Sequence, residues 1–236
     1  HTRCSRDWSS DVCSSDLNIN LHHYDNSDHI SRKITNGRTF YEGGMLRYIY
    51  ENIPRKGTYI DAGANIGNHT VFFGKFCAEK QYAIEPVPEN LKVLRKNVEN
   101  NFLTNTTILP NGVGKISNER QIVRFDTNMG SCMLEENPNP QQLIEKKKKI
   151  ITGDSVIVRT PADLGLSQIK DLTLIKIDCE IMSIEILESF ITLIEINKPH
   201  IFIEATKEEV KLIEKMIGYK AVRQFNATPT FHFKPL

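Results

Sequence analysis

Tyr59 to Phe73, YIDAGANIGNHTVFF, passes from an apolar run through a turn of small residues into a helical pattern. Asp61 closes the run, and Gly63 and Gly67 frame the turn. A strand, a tight turn and a helix in that order make half of a βαβ unit. In an open α/β sheet, ligands gather outside the carboxyl ends of the strands, so an acid and a glycine turn at such an end mark a candidate site.

The same rhythm extends on both sides. MLRYIYENI (Met45 to Ile53) reads as an amphipathic helix stopped by Pro54. QYAIEP is a second strand, and PENLKVLRKNVENN a helix with Pro88 in its first turn and Leu91, Leu94 and Val98 on one face. TTILP is a third strand. From about 115 to 160 the alternation in RQIVRF and KIITGDSVIVRT, on either side of the Asn/Pro-rich EENPNPQQ, predicts a β insertion. The rhythm then resumes with LTLIKID, MSIEILESFITLIE as a single helix, PHIFIEA, KEEVKLIEKMIG and the strand pair YKAVRQF and PTFHFKP. Alternating βα units imply a doubly wound, mostly parallel sheet with helices on both faces and an antiparallel edge from the terminal pair.

Composition narrows the function. With 236 residues, 39% hydrophobic and a net charge of +1, the chain can bury a sizeable core and has no global pull toward nucleic acid or anionic membrane. No apolar run is long enough to span a bilayer, and the lysine run at Lys146 to Lys149 reads as a solvated hairpin. Asp7 to Leu17, DWSSDVCSSDL, resembles one reading frame of a sequencing-library adapter, so residues 1–17 are expected to be an adapter-like artefact. Residues 18–236 are then expected to form one domain, with 18–44 as a lead-in. Without the leader, net charge is +2, and Cys77, Cys132 and Cys179 remain, widely spaced. Reduced thiols in a cytoplasm suit that pattern better than disulfides or a zinc site.

Four predicted strands stop at acids: Asp61, Glu85, the pair Asp178 and Glu180, and Glu204. The turn reads Gly-x-x-x-Gly rather than the Gly-x-Gly-x-x-Gly that cradles a dinucleotide pyrophosphate. Glu85 follows Gly67 by eighteen residues, where a carboxylate can accept both hydroxyls of a ribose. A nucleoside without a pyrophosphate fits both features, and S-adenosylmethionine is such a ligand.

IDAGANIGNHT, IEPVPENLKVLRKNVENN, LIKIDCE and FNATPTFHF together resemble the FkbM family of S-adenosylmethionine-dependent methyltransferases, over roughly Tyr41 to Pro235. The resemblance implies a Rossmann-like class I methyltransferase fold with a seven-stranded sheet. It also implies O-methylation of sugar hydroxyls in polysaccharides, glycolipids or natural products. The expected cofactor is S-adenosylmethionine, the partner a small-molecule or saccharide acceptor rather than nucleic acid, and no metal is expected.

Methyl transfer to a hydroxyl needs a base near the methyl group. Asp178 and Glu180 are the first candidates, with helix capping as the alternative, and His69 is a third candidate against an ordinary helix-surface histidine. For the cofactor the candidates are Asp61, Gly63, Asn65, Gly67, Glu85, Asn111 at the adenine edge and Glu42 in a YE pair with Tyr41. Glu204 is read as orienting the acceptor, as supporting Asp178 in binding a divalent ion, or as plain strand-end solvation. Where the family continues KIDVEG and a second Glu, this chain has Ile181 and Ser183, and Glu185 lies two residues further along. That departure motivates a rival reading, a cofactor-binding homologue with impaired catalysis. Methylation of another small molecule and a nicotinamide dehydrogenase are further alternatives.

Overall fold

The computed structural model describes residues 19–23, 40–125, 128–135, 149–179, 182–225 and 229–236. The adapter-like leader, most of the lead-in, the Asn/Pro-rich loop, Lys146 to Lys148, Glu180 and Ile181 lie outside the described residues. The main sheet has seven strands. They are β1 (Thr58–Ala62), β2 (Lys80–Ile84), β3 (Thr106–Leu109), β8 (Leu172–Ile177), β9 (His200–Glu204), β10 (Tyr219–Phe225) and β11 (Thr230–Pro235), in the spatial order β10-β11-β9-β8-β1-β2-β3. β1 pairs in parallel with both β2 and β8, and β11 alone runs antiparallel, between β9 and β10. Chain direction across the sheet reverses at β1, which makes the β1/β8 boundary the topological switch point.

The helices are α1 (Gly43–Asn52), α2 (Asn68–Phe76), α3 (Pro88–Asn100), α4 (Ser183–Ser189), α5 (Ile191–Asn197) and α6 (Lys207–Ile217). Successive strand residues feed opposite faces. Tyr59, Leu174 and Phe202 join Leu46, Ile49, Phe72 and Phe73 on the α1/α2 side, whereas Ile60, Ile175 and Ile201 join Leu187, Phe190 and Ile213 on the other. β1 is buried along its whole length, which is why TYIDA shows no apolar/polar alternation. Local chemistry agrees with the ends: in α6, Thr206 accepts from Glu209 N while Glu209 accepts from Thr206 N, and Gly218 closes the helix at φ 66°.

Two sequence expectations change. MSIEILESFITLIE is two helices, because fully buried Phe190 sits at φ −90°, ψ 1° and its N–H turns back to Leu187 O at 3.1 Å. The insertion holds four strands rather than two: β4 (Gly112–Val113), β5 (Asn118–Phe125), β6 (Asn128–Glu135) and β7 (Lys149–Arg159), in the order β4-β7-β5-β6. Its Val113, Ile122, Leu134 and Val158 share the core formed by β8 and α4. Arg120 forms a two-pronged ion pair with Glu185 on α4, at 2.6 and 3.2 Å, and so fixes the insertion to that helix.

At the opposite end of the sheet from the glycine turn, His200 Nδ1 and His232 Nε2 lie 3.0 Å apart and His232 Nδ1 lies 3.2 Å from the Tyr48 hydroxyl. The His232 ring stacks on Phe202 at 4.5 Å. Burial, with His200 and Lys234 nearby, lowers the His232 pKa from 6.5 to about 4. A histidine held neutral in the fold loses stability as pH falls, because the unfolded chain takes up the proton first. Unfolding free energy should therefore fall by about 3 kcal/mol between pH 6.5 and pH 4 on account of this residue. Urea midpoints across that range, compared with His232→Phe, read the difference; an equal slope in both would reject it.

Candidate active site

A cavity of about 280 Å³ opens over the carboxyl ends of β1, β2, β8 and β9. Gly63, Asn65 and Gly67 all take left-handed backbone, at φ 80°, 51° and 89°. An asparagine tolerates that conformation far better than a β-branched residue. The turn's N–H groups are turned inward: Gly63 N and Ala64 N donate to Ile84 O, Gly67 N to Ala64 O, and Asn65 N to Glu85 Oε2 at 2.8 Å. No donor of these four is left for a phosphate.

The glycines serve the protein before any ligand. A Cβ on Gly63 would stand 2.0 Å from the Asp178 carbonyl oxygen, and one on Gly67 would stand 2.6 Å from Leu94 Cδ1. Gly63 lines the cavity, while Gly67 packs α2 onto α3. Glu85 is buried at the cavity wall, accepting from Val87 N at 2.9 Å and Asn90 Nδ2 at 3.1 Å on Oε1 and from Asn65 N on Oε2. Burial pushes its carboxyl up, against those three donors. Two carboxylate oxygens offer about four acceptor sites, so one is still open to a hydroxyl.

The far end of the cavity is charged. Lys176, 1% exposed, lies 3.3 Å from Asp178 Oδ2 and 3.4 Å from Asp61 Oδ1. Asp61 sits beneath the wall and also accepts from Thr70 Oγ1 at 2.6 Å. The Asp178 carboxyl keeps 35% of its side-chain surface open and is hydrogen-bonded to Glu204, which lines the same cavity. Its seclusion would raise its pKa, but Lys176, the Glu204 bond and His69 together hold it below the usual carboxylate range. His69 Nε2 lies 3.1 Å from Glu42 Oε2, both side chains buried, and the His69 ring stacks on Phe73. Glu42 itself takes φ 57° just ahead of α1.

The structure thus brings together Glu42, Gly63, Asn65, His69, Glu85, Asp178 and Glu204 around one cavity. Asp61 and Gly67 stand directly behind its wall, and Asn111 stands off it, donating to Ile157 O at 3.4 Å while its neighbours Gly112 and Val113 form the wall. Glu180 lies outside the described residues. Glu185 faces Arg120, and buried Ser183 opens α4. Sequence reading missed Asn68 and Lys176. Asn68 grips the Tyr41 backbone from both sides, accepting from its N–H at 2.8 Å and donating to its carbonyl at 3.0 Å, which holds Tyr41 and Glu42 at the cavity. Lys176 was legible as the lone charge inside LTLIKI, since a lysine in a strand buried on both faces requires a buried partner. Among the described residues, no group of three or more His, Cys, Asp or Glu side chains is placed to hold a metal ion, and no helix is long and apolar enough to cross a membrane.

A seven-stranded sheet with one antiparallel strand next to its edge, and a cavity at the switch point, is the fold of class I methyltransferases. Residues 16–207 match the family model described as Vibrio cholerae RfbT protein, and the chain belongs to that family. The FkbM resemblance read from the sequence is met in the fold by the crystal structure of methyltransferase FkbM from Methylobacillus flagellatus. That structure is 18% identical with a TM-score of 0.52, covering 90% of this chain and 56% of that one. The chain therefore spans little more than half the length of that protein. Looser likenesses, at TM-scores of 0.45 and 0.44, are to an rRNA methylase from Streptococcus thermophilus and to M. capricolum TrmK in complex with S-adenosyl-homocysteine. The first is 15% identical over 82% of this chain and 95% of that one, the second 13% identical over 80% and 66%. No curated protein matches the chain by sequence.

Proposed function

We propose that the chain is an S-adenosylmethionine-dependent methyltransferase that O-methylates a sugar hydroxyl of a polysaccharide, glycolipid or natural product. The observation that carries the cofactor is the arrangement around Glu85: an acid at the end of β2 that accepts from Asn65 N in a turn whose Gly63, Ala64 and Gly67 N–H groups are also spent within the protein. That site suits a nucleoside, and its Gly-x-x-x-Gly turn is not the Gly-x-Gly-x-x-Gly that cradles a pyrophosphate, which disfavours the nicotinamide alternative. Asn65 lines the cavity and its buried Oδ1 has no hydrogen-bond partner among the described residues, which leaves it an acceptor for an ammonium or hydroxyl of the ligand. Bound there, S-adenosylmethionine would supply an electrophilic methyl carbon on a cationic sulfur.

Glu85 holds a ribose hydroxyl at its open acceptor position, and Ile84, Pro86, Val113, Leu134, Met182 and Ile186 give the adenine an apolar slot. At the charged end, Asp178 takes the proton of the acceptor hydroxyl on Oδ1 or Oδ2, while Glu204 and His69 orient the acceptor. The saccharide acceptor rests on the FkbM resemblance, and the absence of a nucleic-acid acceptor rests on the near-neutral charge of the chain. Residues 18–236 are read as one methyltransferase domain, because the insertion shares the core of the main sheet. The thiols at Cys77 and Cys179 are free, in keeping with a cytoplasmic setting.

Calorimetric titration with S-adenosylmethionine, S-adenosylhomocysteine and NAD tests the reading. Binding of the first two is expected; tight NAD binding alone would overturn it. In the same assay Glu85→Ala should weaken S-adenosylmethionine by about 1–3 kcal/mol, through loss of charged hydrogen bonds to the ligand and of the bond that steadies Asn65 N. Unchanged affinity would remove Glu85 from the ribose site.

A further inference from the structure

Four carboxyl groups line the cavity, Glu42 ahead of α1, Glu85 after β2, Asp178 after β8 and Glu204 from β9, and a fifth, Asp61 from β1, stands behind its wall. The titratable groups facing them are Lys176 from β8, His69 from α2 and the Cys179 thiol. Carboxylates crowded in a secluded space do not all ionise; each raises its neighbour's hold on a proton. A carboxyl that already carries its proton has no place for the acceptor's. Lys176 is where that conflict is resolved, because its ammonium is lodged between Asp178 and Asp61 at 3.3 and 3.4 Å. Asp61 in turn is pinned from behind by the Thr70 hydroxyl.

Resting on the methyltransferase reading above, we propose that Lys176 is a positioning residue that keeps Asp178 in its proton-accepting form, with Asp61 as the anchor that holds the ammonium in place. The proton of the Asp178–Glu204 hydrogen bond then belongs to Glu204. Burial alone would strip Lys176 of its charge, yet the carboxylates of Asp178, Asp61 and Glu42 outweigh burial and raise its pKa. The ammonium is therefore a fixed charge at every pH at which the protein works.

The test needs no acceptor. The full chain is labelled at its aspartate side-chain carboxyl carbons and titrated by 13C NMR from about pH 3 to about pH 9, a range that brackets ordinary and strongly raised carboxyl values. The Asp178 line is assigned by its loss in Asp178→Asn. In the parent that line should titrate below the ordinary aspartate value, and in Lys176→Met its midpoint should rise above that value, with Lys176→Arg restoring the low one. Lys176→Met leaves buried acids without a counter-charge and can fail to fold, so Asp61→Asn/Lys176→Met, which removes the ion pair as a unit, is carried alongside with the same expected rise. A parent midpoint at or above the ordinary aspartate value, or an unmoved line in the folded variants, overturns the assignment. Binding of S-adenosylmethionine to the parent is measured separately. A low Asp178 midpoint with no binding would defeat the methyltransferase reading and leave the assignment of Lys176 standing.

Discussion

Asp178→Asn is expected to slow methyl transfer to a saccharide acceptor by about 10²–10⁴-fold, the range that a positioned general base contributes. Affinity for S-adenosylmethionine should move by less than about tenfold, about 1.4 kcal/mol. The substitution keeps the size of the side chain and removes its charge and its capacity to take a proton. The fold should tolerate it, because Lys176 keeps Asp61 as its counter-charge. Single-turnover transfer of a labelled methyl group separates the two effects, since it reads the chemical step apart from binding. Loss of affinity with an unchanged single-turnover rate would move the base elsewhere, to His69 paired with Glu42. It would also make the strand-end acid a cofactor ligand.

Gly63→Ala should be strongly destabilising. At φ 80° an alanine costs roughly 1–2 kcal/mol in backbone conformation alone. Its Cβ would also stand 2.0 Å from the Asp178 carbonyl oxygen and 2.9 Å from Cys179 Sγ. That carbonyl cannot simply retreat, because the adjoining Asp178 N–H is bonded to Ala62 O at 3.0 Å across the sheet. Overpacking adds about 1–3 kcal/mol, so a total near 2–5 kcal/mol is expected in chemical denaturation, with cofactor affinity falling as Asp178 is displaced. Gly165→Ala is the matched control: its φ is 75°, and a Cβ there meets nothing within 4 Å. It should show the conformational cost alone. Equal losses at the two sites would mean that the close approach of β1 to β8 carries no weight.

What the sequence made legible follows from where burial is strict. Strands buried on both faces leave long apolar runs ending at acids, so β1, β2, β8 and β9 and the acids at their ends could be placed from the residues alone. Pro88 marked a helix start for the same local reason that holds in the structure. β4 was not legible, because a two-residue strand has no period. The break at Phe190 was hidden because its apolar pattern continues through it. Pairings between distant segments were hidden too. Nothing in one sequence joins Glu42 to His69, Asn68 to Tyr41, or Arg120 to Glu185. The last explains why an acid two residues beyond the family's position looked surplus: here it faces the insertion.

The inward-facing turn has a consequence for life among abundant nucleotides. A site that recognised adenosine by cradling phosphate would have to compete with ATP for every binding event. Here one end of the cavity carries the buried Glu85 carboxyl, the opposite end is lined with acids, and the N–H groups of Gly63, Ala64, Asn65 and Gly67 are tied up in the protein. An adenosine bearing a chain of anionic groups meets repulsion along its length, whereas one bearing a sulfonium meets attraction. The turn thus acts as a filter on the charge of whatever is attached to the ribose, and ATP added in excess should fail to displace S-adenosylmethionine.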